Sequence, residues 1–176
     1  MTPYTGFVDQ PGLRDAFLAA GISCQWQNGS LLVSDLSAAQ SLAASYNPLP
    51  AIQQQALATV QATLATKLAA GLAIGSNVIA IDAAAQTEIA ALAILALATI
   101  SGTATTPWPT GRTWPVVSGT PIPLTTPQDL IAVGAPGAHY VWSLKNYANG
   151  LAAQIAAATT AAAVQAIDLV GGWPTS

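Results

Sequence analysis

The sequence has very few charged side chains. Lysine, arginine, aspartate and glutamate make up 6% of its 176 residues, whereas ordinary soluble domains contain about 25%. Its four cations, Arg14, Lys67, Arg112 and Lys145, lie apart from one another. Nucleic-acid binding requires clustered lysine and arginine, because these cations replace the counterions of the phosphates, so we expect no nucleic-acid partner. A surface with so little charge also promotes association, so we expect the chain to bind copies of itself or other proteins.

Reactive side chains are scarce as well. The sequence contains one histidine, His139, and one cysteine, Cys24. A single cysteine excludes an intramolecular disulfide, and neither residue belongs to a zinc-site spacing. The serines follow no nucleophile-elbow pattern, the glycines form no phosphate-binding motif, and the seven carboxylates are dispersed along the chain. We therefore predict a protein that is not an enzyme, with no catalytic residues, no metal and no cofactor.

No uninterrupted apolar run is long enough for a membrane span. The most apolar stretch, "AQTEIAALAILALATISG", contains Gln86 and Glu88 and offers about a dozen continuous apolar residues, against the roughly 20 that a span needs. It predicts a buried helix and no membrane span. The opening "MTPYTGFVDQ" has neither the basic nor the apolar region of a secretory signal.

Residues 1 to 50 are predicted to form a small αββα module for attachment or partner binding. "PGLRDAFLAAG" is typical of a short helix that ends at Gly21. "ISCQWQNGSLLVSD" indicates two strands around Asn28-Gly29, a dipeptide that accepts the positive φ angles of a tight hairpin. Asp35 or Ser34 then caps a second helix, and "NPLP" marks the boundary.

Residues 51 to 176 are predicted to form a helical domain with hairpins near 72–81 and 113–124. Helices are expected over about 51–70 and 83–100, with a turn at Gly75-Ser76-Asn77 between the strands that separate them. The helix over 83–100 is apolar almost all round, so it must be covered on more than one side. The proline-rich segment 101–126 predicts a linker and an irregular hairpin that turns at Ser118-Gly119. The fold class is therefore α+β, mainly α.

The last third of the chain carries strong helix signals. Thr126, Pro127 and Asp129 suit the N-cap, the first helical position and the acid of a capping box. Apolar positions from Leu130 to Ile155 keep one helical phase across "GAPG", which predicts a kinked long helix or two nearly collinear ones. Thr159 and Thr160 mark a break or a new cap before a last short helix. Gly171-Gly172 closes that helix, and Trp173 is expected to fold back onto it as a hydrophobic plug.

The aromatic side chains have two interpretations. Tryptophans and tyrosines stack on sugar rings in glycan-binding proteins, but packing in a core or an interface explains them more simply. We predict an interface that draws on the apolar helix and on two tryptophans. Its residues are Ile89, Leu92, Ile94, Leu95, Leu97, Trp142 and Trp173.

Residues 67 to 174 resemble a domain of unknown function that recurs in bacteriophage tail and tail-fibre proteins. The resemblance is carried by the hairpin "KLAAGLAIGSNVIAID", the helix start "AAAQTEIAAL", the strand and turn "TWPVVSGTPIPLT", and the close of the chain, where "AID" and "GWP" follow an alanine-rich helix. It implies a non-enzymatic virion structural protein of a tail, baseplate or tail fibre, made in the host cytoplasm. The implied partners are copies of itself, with a trimer as one option for a fibre, and other virion tail proteins.

Three other functions stay open at this stage. One is a receptor- or glycan-binding tail module, which requires aromatic side chains clustered on an exposed face. Another is a tail assembly factor that is absent from the mature particle. A third is a small alanine-rich secreted or envelope protein, against which the missing signal sequence counts.

Overall fold

The computed structural model describes residues 1–4, 12–28 and 30–175. Helices predominate among them and the strands are short, so the predicted α+β class, mainly α, is confirmed. In chain order the elements are β1 (Thr2–Pro3), α1 (Leu13–Ala19), β2 (Cys24–Gln27), β3 (Ser30–Val33), α2 (Leu36–Ser45), α3 (Leu49–Ala70), β4 (Leu72–Ile74), β5 (Asn77–Ile79), α4 (Ala83–Ile100), β6 (Thr113–Trp114), β7 (Val116–Ser118), β8 (Ile122–Pro123), α5 (Pro127–Ala157) and α6 (Ala161–Gln165).

The chain divides into two compact units. The first comprises Met1–Ala58 and Ala153–Asp168, and the second comprises Thr59–Ala152 and Leu169–Ser176. The division therefore falls inside α3 and inside α5, and the first unit takes a segment from near the end of the chain. The sequence suggested a boundary at residue 50, and it did not suggest that a segment from near the end of the chain belongs to the first unit.

The first unit contains the predicted αββα order and one additional strand. β2 and β3 pair antiparallel, with Cys24 opposite Val33, and Asn28 at their turn adopts a φ of 50°. β1 pairs with the other edge of β3 and completes a three-stranded sheet that the sequence did not predict. The Asp35 carboxylate, not Ser34, caps α2, because it accepts from the backbone N–H of Ala38 at 2.9 Å. The predicted helix start at Pro11 and the turn residue Gly29 lie outside the described residues.

A compact apolar core holds the helices of this module to its sheet. Phe17 of α1 and Val33 of β3 are both fully buried, and Tyr4 lies with its ring centroid 6.2 Å from that of Phe17. The other buried members are Leu13, Ile22, Leu31 and Ala39. Alternate residues of β3 thus face the core, as expected for a strand with one covered face.

Within the first unit, a polar contact joins α3 to the residues from 153 to 168. The Gln53 side-chain amide donates to the carbonyl oxygens of Ile155, at 2.9 Å, and Ala158, at 3.1 Å. Carbonyl groups at the end of a helix have no partner within it, and Gln53 supplies one at the end of α5. Thr160 then begins α6, because its hydroxyl accepts from the N–H of Ala163 at 3.1 Å, which confirms the predicted cap.

The second unit contains two small antiparallel sheets. β4 and β5 form the predicted hairpin, with Ile74 opposite Asn77. β6 pairs with β8, so the outer ends of the predicted 113–124 hairpin do meet. The predicted pairing near the tip of that hairpin is wrong. β7 does not pair with β6 or β8 but with β5, with Val116 opposite Ile79. Gly119, at a φ of 98°, lies against Asn77, whose side-chain oxygen accepts from the Thr120 N–H at 2.9 Å.

α5 is one continuous helix of 31 residues across Pro136. Proline cannot donate to the carbonyl of Ala132, but both residues are exposed, so water can satisfy that carbonyl. The predicted phase is confirmed, because the apolar positions of the helix are buried. They are Leu130, Val133, Tyr140, Leu144, Leu151 and Ile155.

The start of α5 is a capping box, as predicted. The Asp129 carboxylate accepts from the Thr125 hydroxyl and from the Thr126 N–H, both at 2.7 Å, and the Thr126 hydroxyl accepts from the Asp129 N–H at 3.3 Å. These hydrogen bonds, first that from the Thr125 hydroxyl, hold the pKa of Asp129 below its ordinary value. The carboxylate therefore favours the folded state when it is ionised.

The capping box predicts a pH-dependent stability. Because the pKa of Asp129 is lowered on folding, its contribution is present above the ordinary carboxyl pKa and is lost as the pH falls through the folded value. Asp129→Ala is thus expected to reduce the free energy of unfolding at neutral pH and to make little difference in strong acid. Urea unfolding of both proteins across this pH range measures the difference. Thr125→Val should raise the Asp129 pKa toward normal in an NMR titration, and a difference independent of pH would contradict the account.

The C-terminal residues of the second unit fold back, although not in the predicted way. α6 ends at Gln165 with Ala166 as its C-cap, so Gly171-Gly172 does not close it, and Trp173 packs against Tyr147 of α5. Trp173 is 6% exposed, and its ring centroid lies 5.1 Å from that of Tyr147. The Tyr147 hydroxyl donates to the Gly171 carbonyl at 2.9 Å, and the Trp173 indole N–H donates to the Leu169 carbonyl at 3.1 Å. Gly172 adopts a φ of 70° directly beside the Tyr147 hydroxyl, a position in which no side chain fits.

Trp173→Ala is expected to reduce the free energy of unfolding by on the order of 3 kcal/mol, because it removes a buried aromatic ring and leaves a cavity. The matched control is Trp142→Ala, which truncates a ring that is 63% exposed and should cost less than about 1 kcal/mol. Denaturant unfolding at low protein concentration, where association is weakest, compares the two. Equal losses would show that Trp173 does not stabilise this fold.

Candidate functional site

The residue types that carry most enzyme chemistry do not converge. Among residues 1–4, 12–28 and 30–175, no three histidine, cysteine or acidic side chains lie close enough to hold a metal ion. The His139 ring is exposed on α5, with its centroid 6.2 Å from that of Trp142. Cys24 is half-buried in β2. Asp82 caps α4 by accepting from the Ala85 N–H at 2.9 Å, a structural role.

The apolar helix α4 is open to solvent, which corrects the prediction of a buried helix. Only 11% of Ala83–Ile100 is buried, and the two fully buried residues are both alanines, Ala85 and Ala96. Ile94 is 74% exposed, Leu97 61% and Ile100 46%. Among the described residues the expected cover on several sides is missing, because Ile94, Leu97 and Ile100 remain exposed.

By length and composition, α4 is also apolar enough to cross a membrane, although the sequence predicted no span. A helix covered by another protein passes the same test. Polar contacts hold its first half: Glu88 pairs with Arg112 at 3.4 Å, and Gln86 donates to the Ile81 carbonyl at 2.6 Å.

An apolar groove of about 590 Å³ lies between α4 and α5 in the second unit. One wall is formed by α4 residues spaced three or four apart, so that they share one face of the helix. The other wall is formed by α5. The main lining residues are Ile89, Ala90, Ala93, Leu97, Trp114, Ile131, Gly134, Ala138 and Trp142.

Small residues of α5 allow Trp114 to lie beneath the groove. Trp114 is 2% exposed, and its indole N–H donates to the Ala80 carbonyl at 3.3 Å. A Cβ atom at Gly134 would already lie 3.4 Å from the Trp114 ring, and one at Gly137 would lie 3.5 Å from Ile79. Both distances are ordinary van der Waals contacts, so an alanine fits at either glycine, whereas a larger side chain would have to displace its neighbour.

The polar lining of the groove is confined to Gln86 and Lys145. The Lys145 ammonium donates to the Gln86 side-chain oxygen at 3.3 Å, and the Gln86 amide donates in turn to the Ile81 carbonyl. Both side chains thus have partners within the chain. The groove is suited to apolar contact, with one cationic group at its rim.

The predicted interface residues separate into three groups. Ile89, Leu97 and Trp142 line the groove, and Ile94 is exposed on the same helix. Leu92 and Leu95 are half-buried and do not line it. Trp173 is buried within its own unit, against Tyr147.

Sequence reasoning missed Ile131, which is 40% exposed and lines the groove, and the small residues of its walls. Gly134 and Ala138 are spaced four apart, which is one face of a helix, and this spacing was the available signal.

The fold and the groove define an α+β protein, mainly α, with an open apolar surface on two helices. Residues 51–169 match the family model described as "Domain of unknown function (DUF4376)". The match covers more than half of the chain, which therefore belongs to this family. No curated protein and no solved structure matches the chain.

Gly134→Leu is expected to destabilise the second unit by about 1–3 kcal/mol, because the side chain would overlap Trp114 and force it to move. Gly150→Leu is the matched control, since it lies on the same helix and nothing is within 4 Å of its Cβ position. Thermal unfolding measures the stabilities, and a red shift of the fluorescence should accompany Gly134→Leu alone. If both variants melt alike with parental fluorescence, the close approach of Trp114 to Gly134 is not a packing constraint.

Proposed function

We propose that this chain is a non-enzymatic structural subunit of a bacteriophage tail, baseplate or tail fibre, held in place by contacts with other proteins. The observation that carries the proposal is the exposed apolar surface of α4. A soluble chain gains free energy when such a surface is covered, at about 25 cal/mol for each Å² removed from water. Large apolar patches on a protein surface mark interaction sites.

The distribution of charge supports association through the second unit. Its sequence contains three cations, Lys67, Arg112 and Lys145, and three anions, Asp82, Glu88 and Asp129, so its formal charge is zero with His139 neutral. Copies or neighbours therefore meet without a large net repulsion. Low net charge promotes association, as a permanently assembled subunit requires.

The assignment to a tail comes from the resemblance of residues 67–174 to tail and tail-fibre domains. Membership of the family of unknown function is compatible with it and names no activity. The virion location and the other tail proteins as partners are therefore parts of this proposal.

The positions of the aromatic side chains do not favour the receptor- or glycan-binding alternative. Trp114 and Trp173 are buried, and Trp108 is half-buried with its indole N–H bonded to the Leu124 carbonyl at 3.0 Å. In the second unit, Trp142 is the tryptophan that is mostly exposed. Sugar-binding sites commonly offer stacking faces together with polar groups, whereas this surface is aliphatic.

Mass spectrometry of purified particles of the phage that encodes this chain tests the proposal. A structural subunit should be present in a fixed copy number for each particle and should stay bound through gradient purification. Its absence from infectious particles would overturn the proposal and would favour the assembly factor.

The variant His139→Gln tests the proposal that the chain is not an enzyme. Because the ring is exposed, the variant should assemble and infect like the parent, with a stability change of less than about 1 kcal/mol. Loss of infectivity in particles that assemble normally would indicate chemistry at His139.

A further inference from the structure

We propose that the groove between α4 and α5 is the docking site for α4 of a second copy of this chain. The two copies would be related by a two-fold axis, so that each supplies the same surface. This inference rests on the proposed function, in which α4 is covered by protein, and goes further by naming the partner.

The second unit carries both halves of such a contact. Ile94 and Leu97 project from α4, at 74% and 61% exposure. Beside them lies a groove whose walls include small side chains, among them Ala93, Gly134 and Ala138. A two-fold interface requires one patch that complements itself, and protruding aliphatic side chains next to a groove meet this condition.

The available area is close to what a dimer needs. Ile94, Leu97, Ile131 and Trp142, with the exposed alanines between them, present on the order of 600 Å² of apolar surface. The largest patch of a typical monomer is about 300–600 Å², and each partner of a standard interface contributes roughly 800 Å². A modest polar rim would supply the difference.

The charges on this face permit a second copy. The second unit has a formal charge of zero, and the Lys145 ammonium at the rim is already bonded to Gln86. Contact between copies therefore buries no unpaired charge in the groove, an arrangement that would be costly.

Charge also separates this proposal from insertion into a membrane. A charged side chain inside a membrane-spanning helix is costly. α4 carries Glu88, paired with Arg112, inside its first half. A lipid surface would have to accommodate that carboxylate, whereas a protein partner can leave it in water.

Sedimentation equilibrium of the full-length chain over a micromolar concentration series is the first test. The parent is expected to be dimeric, and Leu97→Asp is expected to weaken association by at least about thirtyfold, the loss that corresponds to an interface hot spot. Leu18→Asp is the matched control, because it makes the same substitution on a helix of the first unit at 51% exposure. It should leave the association constant unchanged.

A second pair of variants tests the groove without adding charge. Ala138→Trp would fill the groove, whereas Ala132→Trp places the same ring at an exposed position of α5 that does not line it. Only Ala138→Trp should yield monomers. Thermal unfolding distinguishes loss of association from loss of fold, since a variant that melts like the parent has kept its structure.

Three outcomes would overturn the proposal. The first is a parent that remains monomeric throughout the series. The second is a parent that floats with neutral phosphatidylcholine vesicles in proportion to lipid, which would identify a membrane as the occupant. The third is a folded Leu97→Asp chain that dimerises like the parent. If the parent is monomeric but present in purified particles, the dimer is refuted and the structural role stands. If the parent is dimeric but absent from particles, the structural role is refuted and the dimer stands.

Discussion

An apolar helix, α4, that the described part of the chain leaves largely exposed is the constraint on which the second unit depends. A helix about 10 Å across, with apolar side chains all round, has more surface than one neighbouring helix can contact. Ala85 and Ala96 of α4 are buried, whereas Ile94 and Leu97 stay in water. The unit meets this constraint incompletely, and the proposed partner would complete it.

The remainder of the unit holds the open surface in a fixed shape. Trp114 lies under the groove in contact distance of Gly134, and its indole N–H donates to the Ala80 carbonyl at 3.3 Å. The pair of Tyr147 and Trp173 fixes the C-terminal residues on the far half of α5. A preformed surface of this kind loses little conformational entropy when it binds, so more of the burial free energy appears as affinity.

Local features of the fold could be predicted from the sequence, and distant ones could not. The caps at Asp35 and Thr160 and the capping box of Asp129 depend on residues close together in the chain. The pairing of β7 with β5 and the contact of Gln53 with the end of α5 join segments far apart, for which a single sequence carries no signal. The composition of α4 indicated that its apolar side chains need a contacting partner, but only the structure shows which of them are exposed to solvent. The groove was therefore predictable as a set of apolar residues and not as a shape.

The central claim is that protein, and neither water nor lipid, covers the open face of α4. Electron cryomicroscopy of the intact particle, at a resolution that shows side chains, tests it most directly. The account predicts that Ile94, Leu97 and Trp142 are in contact with protein atoms of another subunit. A particle in which the chain is resolved and these three side chains face solvent or lipid would contradict it.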